Sequence, residues 1–349
     1  MALQHRRFLF SLSVLAFIAI AFVTLLYAQG YRISENLGLK KTGGLYIAAP
    51  GQNMQIYVNS RFRKETSFLQ RSLFTQSLAP ATYSVLVAKD GYWPWQKQLP
   101  VLEEYVTEAK AFLVPQQPRG IVLTAGTFTE LFSSRDGSVL LLVEERNGKK
   151  RAVFYRPEQD RFINRRDAAT EQVLTYNDFL TVLSWEGNAV TLRHEKGTVI
   201  ATIYPDENFV DAAFINPVSP TAQDPDYNPL EHLAFHDQQR LLLDPGQNVV
   251  SVTWLAGTST LPYYLLARTE EIFHSRFPIR QIEYFPKRND VMLIAVSNGV
   301  FAMELDGRGT GRLLQPVYKG NKPLFARIGN AEALYVLDSD TLMRVELVL

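Results

Sequence analysis

The sequence predicts a mainly β protein: a single N-terminal transmembrane helix, a small β-sandwich, then a β-propeller-like domain of five or six blades. Three observations predict this. The run 8–28, FLFSLSVLAFIAIAFVTLLYA, contains no charged residue. After it the chain breaks into apolar runs of about five residues, divided by Gly, Pro, Asn and Asp, the punctuation of strands and turns. From 121 onward such runs recur about every 30–45 residues, the period of a four-stranded propeller blade.

The apolar run opens at Phe8 and ends at Ala28. As a helix rising about 1.5 Å per residue it covers roughly the 30 Å hydrocarbon core, so the bilayer is its expected partner. A cleaved signal peptide shares the basic flank of His5, Arg6 and Arg7. The run exceeds the 7–15 residues typical of a signal's apolar region, and Leu26 stands where cleavage wants a small residue. A retained anchor is expected. Arg6 and Arg7 lie against the run, whereas Arg32, Lys40 and Lys41 follow it at a distance. That flank places 1–7 in the cytoplasm and the bulk of the chain outside the cell membrane. No G-x-x-x-G occurs in the run, although Ala16, Ala19 and Ala21 offer small residues for close helix approach.

Composition excludes several functions. Lys and Arg total 36 against 35 for Asp and Glu, so no basic excess exists to neutralise a phosphate backbone, and nucleic acid is not an expected partner. There is no cysteine, hence no disulfide, thiolate metal site or cysteine nucleophile. No G-x-S-x-G, G-x-x-x-x-G-K-[ST] or G-x-G-x-x-G is present.

Residues 29–42 are polar and read as a juxtamembrane spacer. In 43–115, Leu45-Tyr46-Ile47-Ala48 reads as a strand, Pro50-Gly51-Gln52-Asn53 as a turn, and Met54-Gln55-Ile56-Tyr57-Val58 as a second strand. Thr82-Tyr83-Ser84-Val85-Leu86-Val87-Ala88 is a further strand with Tyr83, Val85 and Val87 on one face. Asp90-Gly91 turns the chain, and strands over 96–101 and 106–114 follow. The succession of Pro-Gly turn, Leu78-Ala79-Pro80-Ala81-Thr82-Tyr83 and Lys89-Asp90-Gly91-Tyr92 with Trp95 behind it resembles the PEGA domain. That domain is a small β-sandwich of bacterial and archaeal envelope proteins. The name-giving tetrapeptide stands here as Pro50-Gly51-Gln52-Asn53, and Ala81 and Ser60 occupy positions where the family carries glycine. The resemblance implies a cell-surface role in attachment or glycan contact and transfers no catalytic residue.

Residues 116–120 (QQPRG) read as a hinge. In 121–349 strands are expected at 139–143, 179–185, 189–192, 209–215, 233–235, 249–254, 263–267, 279–285, 291–296, 300–305, 324–328 and 333–337, with no helix of useful length. The strand–turn–strand phrases resemble WD40-like blades, without a repeating G-H…W-D signature.

Among candidate sites, His232 and His236 have the i, i+4 spacing of a helical metal pair. Leu233 stands where such a pair needs Glu, and on a strand residues four apart are about 13 Å from each other, so no metal is expected. Asp224, Asp226 and Asn228 alternate like the start of a calcium loop, but Pro229 takes the glycine position and Phe235 the twelfth. The loop 216–230 reads instead as a long connection suited to partner contact, through Asp224, Asp226 and Tyr227. In Tyr92-Trp93-Pro94-Trp95, Tyr92 and Trp95 read as core and Trp93 as an exposed ligand-contact residue. The pairs Glu103-Glu104, Glu144-Glu145 and Glu270-Glu271 form no acid–base couple, because neighbours on a strand face opposite ways. No catalytic residue, cofactor or metal is assigned. The expected function is a non-enzymatic, membrane-anchored envelope protein whose sandwich presents the propeller to a protein or glycan. The alternative is an envelope glycan or peptide hydrolase with its site at the propeller channel.

Overall fold

The computed structural model describes residues 2–33, 38–134, 136–178, 180–215, 233–235, 239–244, 246–254, 268–327 and 333–347. Two compact units emerge: Met1–Leu113 with Arg308–Gly311, and Val114–Gly307 with Arg312–Val348.

The first unit begins with α1 (Ala2–Ala28). Within it Phe10–Ala28 is long and apolar enough to cross a membrane, and none of that span is buried by protein. Two of its hydroxyls fold back onto the helix: Ser13 Oγ donates to the Phe10 carbonyl (2.9 Å) and Thr24 Oγ1 to that of Ile20 (2.8 Å). Those two donors need no outside partner. Beyond the helix the expected plain spacer contains a hairpin, β1 (Tyr31–Ile33) paired with β2 (Leu39–Lys41).

Then come β3 (Gly43–Ala48), β4 (Gln55–Val58), β5 (Arg61–Glu65), β6 (Ser72–Leu78), β7 (Ala81–Ala88), β8 (Trp95–Val101) and β9 (Val106–Lys110). They form a three-stranded sheet, β6-β3-β9, and a four-stranded sheet, β5-β4-β7-β8. The pairing β3–β9 is parallel. Alternation decides the buried faces: Leu45 and Ile47 on β3, Val85 and Val87 on β7, Trp95 and Leu99 on β8 are all fully buried. The last expected strand is shorter than 106–114; it ends at Lys110. Two strands, β5 and β6, are additions to the expected set. Asn59 and Ser60, both at positive φ, make the two-residue turn from β4 to β5.

Among the described residues the second unit shows five sheets. Its first strand is β10 (Gly120–Ala125). One sheet is β11 (Phe128–Ser133), β12 (Leu140–Arg146), β13 (Lys149–Arg156) and β14 (Arg161–Ile163). A short helix α2 (Ala168–Val173) follows, then β15 (Thr175–Tyr176), which also pairs with β13. The next is β16 (Leu180–Glu186), β17 (Ala189–His194), β18 (Gly197–Tyr204) and β19 (Phe209–Ile215). Then come β20 (Leu233–Phe235), β21 (Gln239–Asp244), β22 (Val249–Trp254) and β23 (Arg268–His274), followed by β24 (Gln281–Tyr284), β25 (Val291–Val296), β26 (Gly299–Glu304) and β27 (Leu314–Lys319). The final sheet holds β28 (Leu324–Arg327), β29 (Ala333–Asp338) and β30 (Thr341–Glu346), completed by β10. Each of the five runs as an antiparallel meander in chain order, except that the last borrows the unit's first strand. The architecture is propeller-like.

α2, of six residues, is too short to contradict the absence of a helical period of useful length. Asp167 caps it by accepting the Thr170 N–H (2.7 Å), which suffices for a helix of six residues. Hairpins are tight: Asn147-Gly148, both at positive φ, join β12 to β13 with Arg146 opposite Lys149.

Inner strands such as β12 and β25 are buried on both faces. On β12, Leu141 and Val143 pack with the β16–β19 sheet, whereas Leu140 and Leu142 pack with the closing sheet through Tyr335, Leu337 and Leu342. A third core joins the β20–β23 and β24–β27 sheets around Trp254, Ile282, Met292 and Ile294. A strand covered on both faces needs apolar residues at every position rather than alternate ones. First strands are also tied laterally: Gln281 Oε1 accepts the Phe325 N–H (2.9 Å), and Arg280 donates to the Pro323 carbonyl (3.2 Å). The ends meet in β10–β30, with Gly120 opposite Val345 and Ala125 opposite Thr341.

Candidate functional site

Trp93 sits in the turn from β7 to β8. Asp90-Gly91 reverses the chain, with Gly91 at φ 79° and the Tyr92 N–H donating to the Lys89 carbonyl (3.2 Å). Trp95 is the first β8 residue and is fully buried, Tyr92 is half-buried, and Trp93 is 36% exposed. The Lys89 ammonium lies 4.8 Å from the Tyr92 ring centre, a cation–π pair.

The register places a second apolar tip at this end. Gln55 pairs with both Ala88 and Glu65, so the turns after β7 and β5 leave from the same row. The turn after β5 carries Phe68 and Leu69, 69% and 87% exposed. It is closed by the Ser67 N–H donating to the Gln70 carbonyl (3.1 Å), and the Arg71 guanidinium lies 5.9 Å from the Phe68 ring centre. Sequence reasoning missed this pair. Its signal is two large apolar residues between Ser67 and Gln70, away from any strand pattern.

In the second unit, carboxylates are engaged in ion pairs. Arg151 bridges Glu144 (2.5 Å) and Glu171 (3.3 Å), and Glu171 also meets Arg166 (2.8 Å). This chain pins α2 to β12 and β13. Glu270 pairs with Arg312 (2.6 Å), Glu271 with His274 (3.2 Å), and in the first unit Glu104 pairs with Lys41 (2.5 Å). Each candidate acidic pair thus has a member held by a cation: Glu104 by Lys41, Glu144 by Arg151 and Glu270 by Arg312.

Glu130 differs. It lies half-buried on β11; burial raises its carboxyl, and Lys150 at 3.9 Å pulls it back only in part. Nearby, Tyr176 is buried, its hydroxyl has no hydrogen-bond partner among the described residues, and burial followed by the Glu130 charge raises its titration. The buried His194 ring meets Tyr176 edge-on at 5.5 Å. Its Nδ1 accepts the Lys196 N–H (3.0 Å), which leaves Nε2 to donate toward the Thr175 carbonyl (3.4 Å). Burial, not Tyr176 or His194, is what raises the Glu130 carboxyl. Among the described residues no three His, Asp or Glu side chains are placed to share a metal.

Asp224, Asp226 and Tyr227, with the loop 216–230, His232 and His236, lie outside the described residues, as does the expected strand 263–267. Leu233–Phe235 is a strand, as expected.

No family model matches the chain, the segment that resembles the PEGA domain included, and no curated protein matches it. Among solved structures it is similar to a luciferin-regenerating enzyme (11% identity, 66% of this chain and 95% of that one, TM-score 0.40). It is also similar to a gluconolactonase-like protein (14%, 75% and 84%, TM-score 0.27) and to the WD40 domain of Toxoplasma gondii coronin (11%, 77% and 67%, TM-score 0.22). At these TM-scores the likenesses are weak, and the sheet order carries the reading of the fold.

Proposed function

We propose that the chain is a membrane-anchored binding protein of the cell envelope. α1 tethers it, the bulk of the chain lies outside, the two-sheet unit is a sandwich spacer, and the second unit is a five-bladed propeller that binds a protein or glycan. The observation that carries this reading is the pairing of β10 with β30, which completes the last sheet with the unit's first strand and makes a rigid all-β scaffold on an apolar tether. The aromatic end of the sandwich, Trp93 with Phe68 and Leu69, adds a contact surface of the kind that stacks on sugars or fills a protein interface. Affinity capture with the full chain in detergent, against envelope protein and glycan pools, tests it. A partner whose capture falls on Trp93→Ala supports the reading, and none in either pool overturns it.

One observation favours a second reading. The raised carboxyl of Glu130, on the first strand of a sheet and beside the Tyr176 hydroxyl, suits an acid in an envelope hydrolase. Hydrolysis of glycan or peptide substrates that disappears in Glu130→Gln, with folding retained, would establish it over the binding reading.

A further inference from the structure

The end of the first unit where the chain leaves α1 carries its own apolar rim. Leu39, Leu102 and Tyr105 are 57%, 58% and 66% exposed there, and Val106 beside them 39%. Leu39 on β2 and Leu102 and Tyr105 on the turn before β9 leave most of their apolar surface uncovered, and three such residues on one rim call for a partner.

Hydrogen bonds fix where this rim lies relative to the helix. The Thr42 N–H donates to the Gly30 carbonyl (2.9 Å), two residues past the helix end, and the Glu104 N–H donates to the Thr42 carbonyl (3.1 Å). Tyr105's carbonyl accepts the Gly44 N–H (2.9 Å). Lys41 reaches Glu104 at 2.5 Å. Gly43 is packed so closely that a Cβ there would clash with the Leu102 carbonyl. The turn 102–105 is therefore strapped to the helix exit, about two strand spacings, or ~10 Å, from Gly30. The headgroup layer on each side of the hydrocarbon is roughly 5–8 Å thick. At the exit itself, Tyr27 is 63% exposed with the Arg32 guanidinium 3.5 Å over its ring, and Arg32 also donates to the Tyr27 carbonyl (3.1 Å). Cation and aromatic ring together mark a helix end at a membrane interface.

We propose that this rim rests in the interfacial layer of the bilayer that α1 crosses, with Leu39, Leu102 and Tyr105 partitioned among the headgroups. The inference rests on the anchor reading. It commits to lipid because the rim is continuous with the apolar helix through the bonds just named. Partition is apolar rather than ionic, since Glu103 and Glu104 offset Lys40 and Lys41, and it holds in neutral lipid. The opposite end of the sandwich is excluded by distance: β3 runs six residues from Gly43 to Ala48, roughly 20 Å, before the row that leads to Phe68.

The absence of cysteine makes the test clean, because each introduced thiol is the sole label site. The full chain is reconstituted in phosphatidylcholine vesicles with a nitroxide at Leu102→Cys, Tyr105→Cys, Asp90→Cys or Phe17→Cys. Collision with oxygen and with a water-soluble nickel chelate gives depth. The expected result is an oxygen-to-nickel ratio at 102 and 105 several-fold above that at 90, and highest at 17. A buried 17 with 102 and 105 as open to nickel as 90 overturns the rim proposal alone. A nickel-accessible 17 overturns the anchor reading itself.

Discussion

Strand β25 of the second unit buries all six of its residues, whereas strand β5 of the first buries none. The difference follows from position. β25 lies inside a sheet with neighbours over both faces; β5 is the edge of an open sheet, and Arg61, Arg63 and Lys64 guard its unpaired backbone. The first unit wears apolar residues at its ends and edges, as Phe62, Phe68, Leu69, Leu102 and Tyr105 show. In the second, exposed apolar residues include Ile121, Val122, Phe214 and Leu314, all on a first or last strand of a sheet. The second unit spends most of its apolar side chains on its own cores, and the first leaves several exposed.

Five substitutions, one of them followed across pH, would break or sharpen this contrast. Leu142→Ala, at a fully buried residue between sheets, is expected to cost about 2–5 kcal/mol, read from the denaturation midpoint. Gly43→Ala in the first unit forces a Cβ against the Leu102 carbonyl and is expected to cost about 1–3 kcal/mol, with the turn 102–105 becoming protease-sensitive. Asp136→Ala removes the acceptor of Ser134 Oγ (2.6 Å), Ser138 N–H (3.0 Å) and Ser138 Oγ (2.9 Å), for about 1 kcal/mol. Burial opposes ionisation of Asp136, but the Ser134 and Ser138 bonds outweigh it and lower its carboxyl. Its contribution is present above the unfolded aspartate range and is lost as pH falls through the lowered folded-state value, so the cost of Asp136→Ala shrinks in acid. Glu130 has the opposite sign. Its raised carboxyl favours the folded state while protonated, and that contribution is lost as pH rises through the raised value. Unfolding of Glu130→Gln and parent across pH 4–7 is expected to show Gln gaining on the parent as pH rises. Phe68→Ala should be the smallest change in stability, within about 0.5 kcal/mol, while partner capture falls.

Legibility followed burial. Leu140 to Val143 of β12 announced a strand because both faces are apolar, and Tyr83, Val85 and Val87 announced β7 by alternation. RFRKE gave no sign of β5, since an edge strand selects for charge rather than period. α2 was invisible to periodicity because its stability comes from one cap and an ion-pair chain. The union of Ile121 with Arg344 could not be read from either segment, because pairing across so long a separation leaves no local pattern. At the candidate site, Trp93 was legible from its cluster, whereas Phe68 and Leu69 stand alone in a turn and became a surface only through the shared row with Ala88.

The route of the chain gives the β10–β30 pairing a mechanical meaning. The covalent path from α1 reaches the second unit at Val114 and enters its sheets at Gly120, the first residue of β10. In the proposed anchored protein, a pull on α1 meets first the Val114 N–H bond to Gln315 Oε1 (3.0 Å) and then the β10–β30 ladder. Tension on such a tether and separation of β10 from β30 act on the same hydrogen bonds.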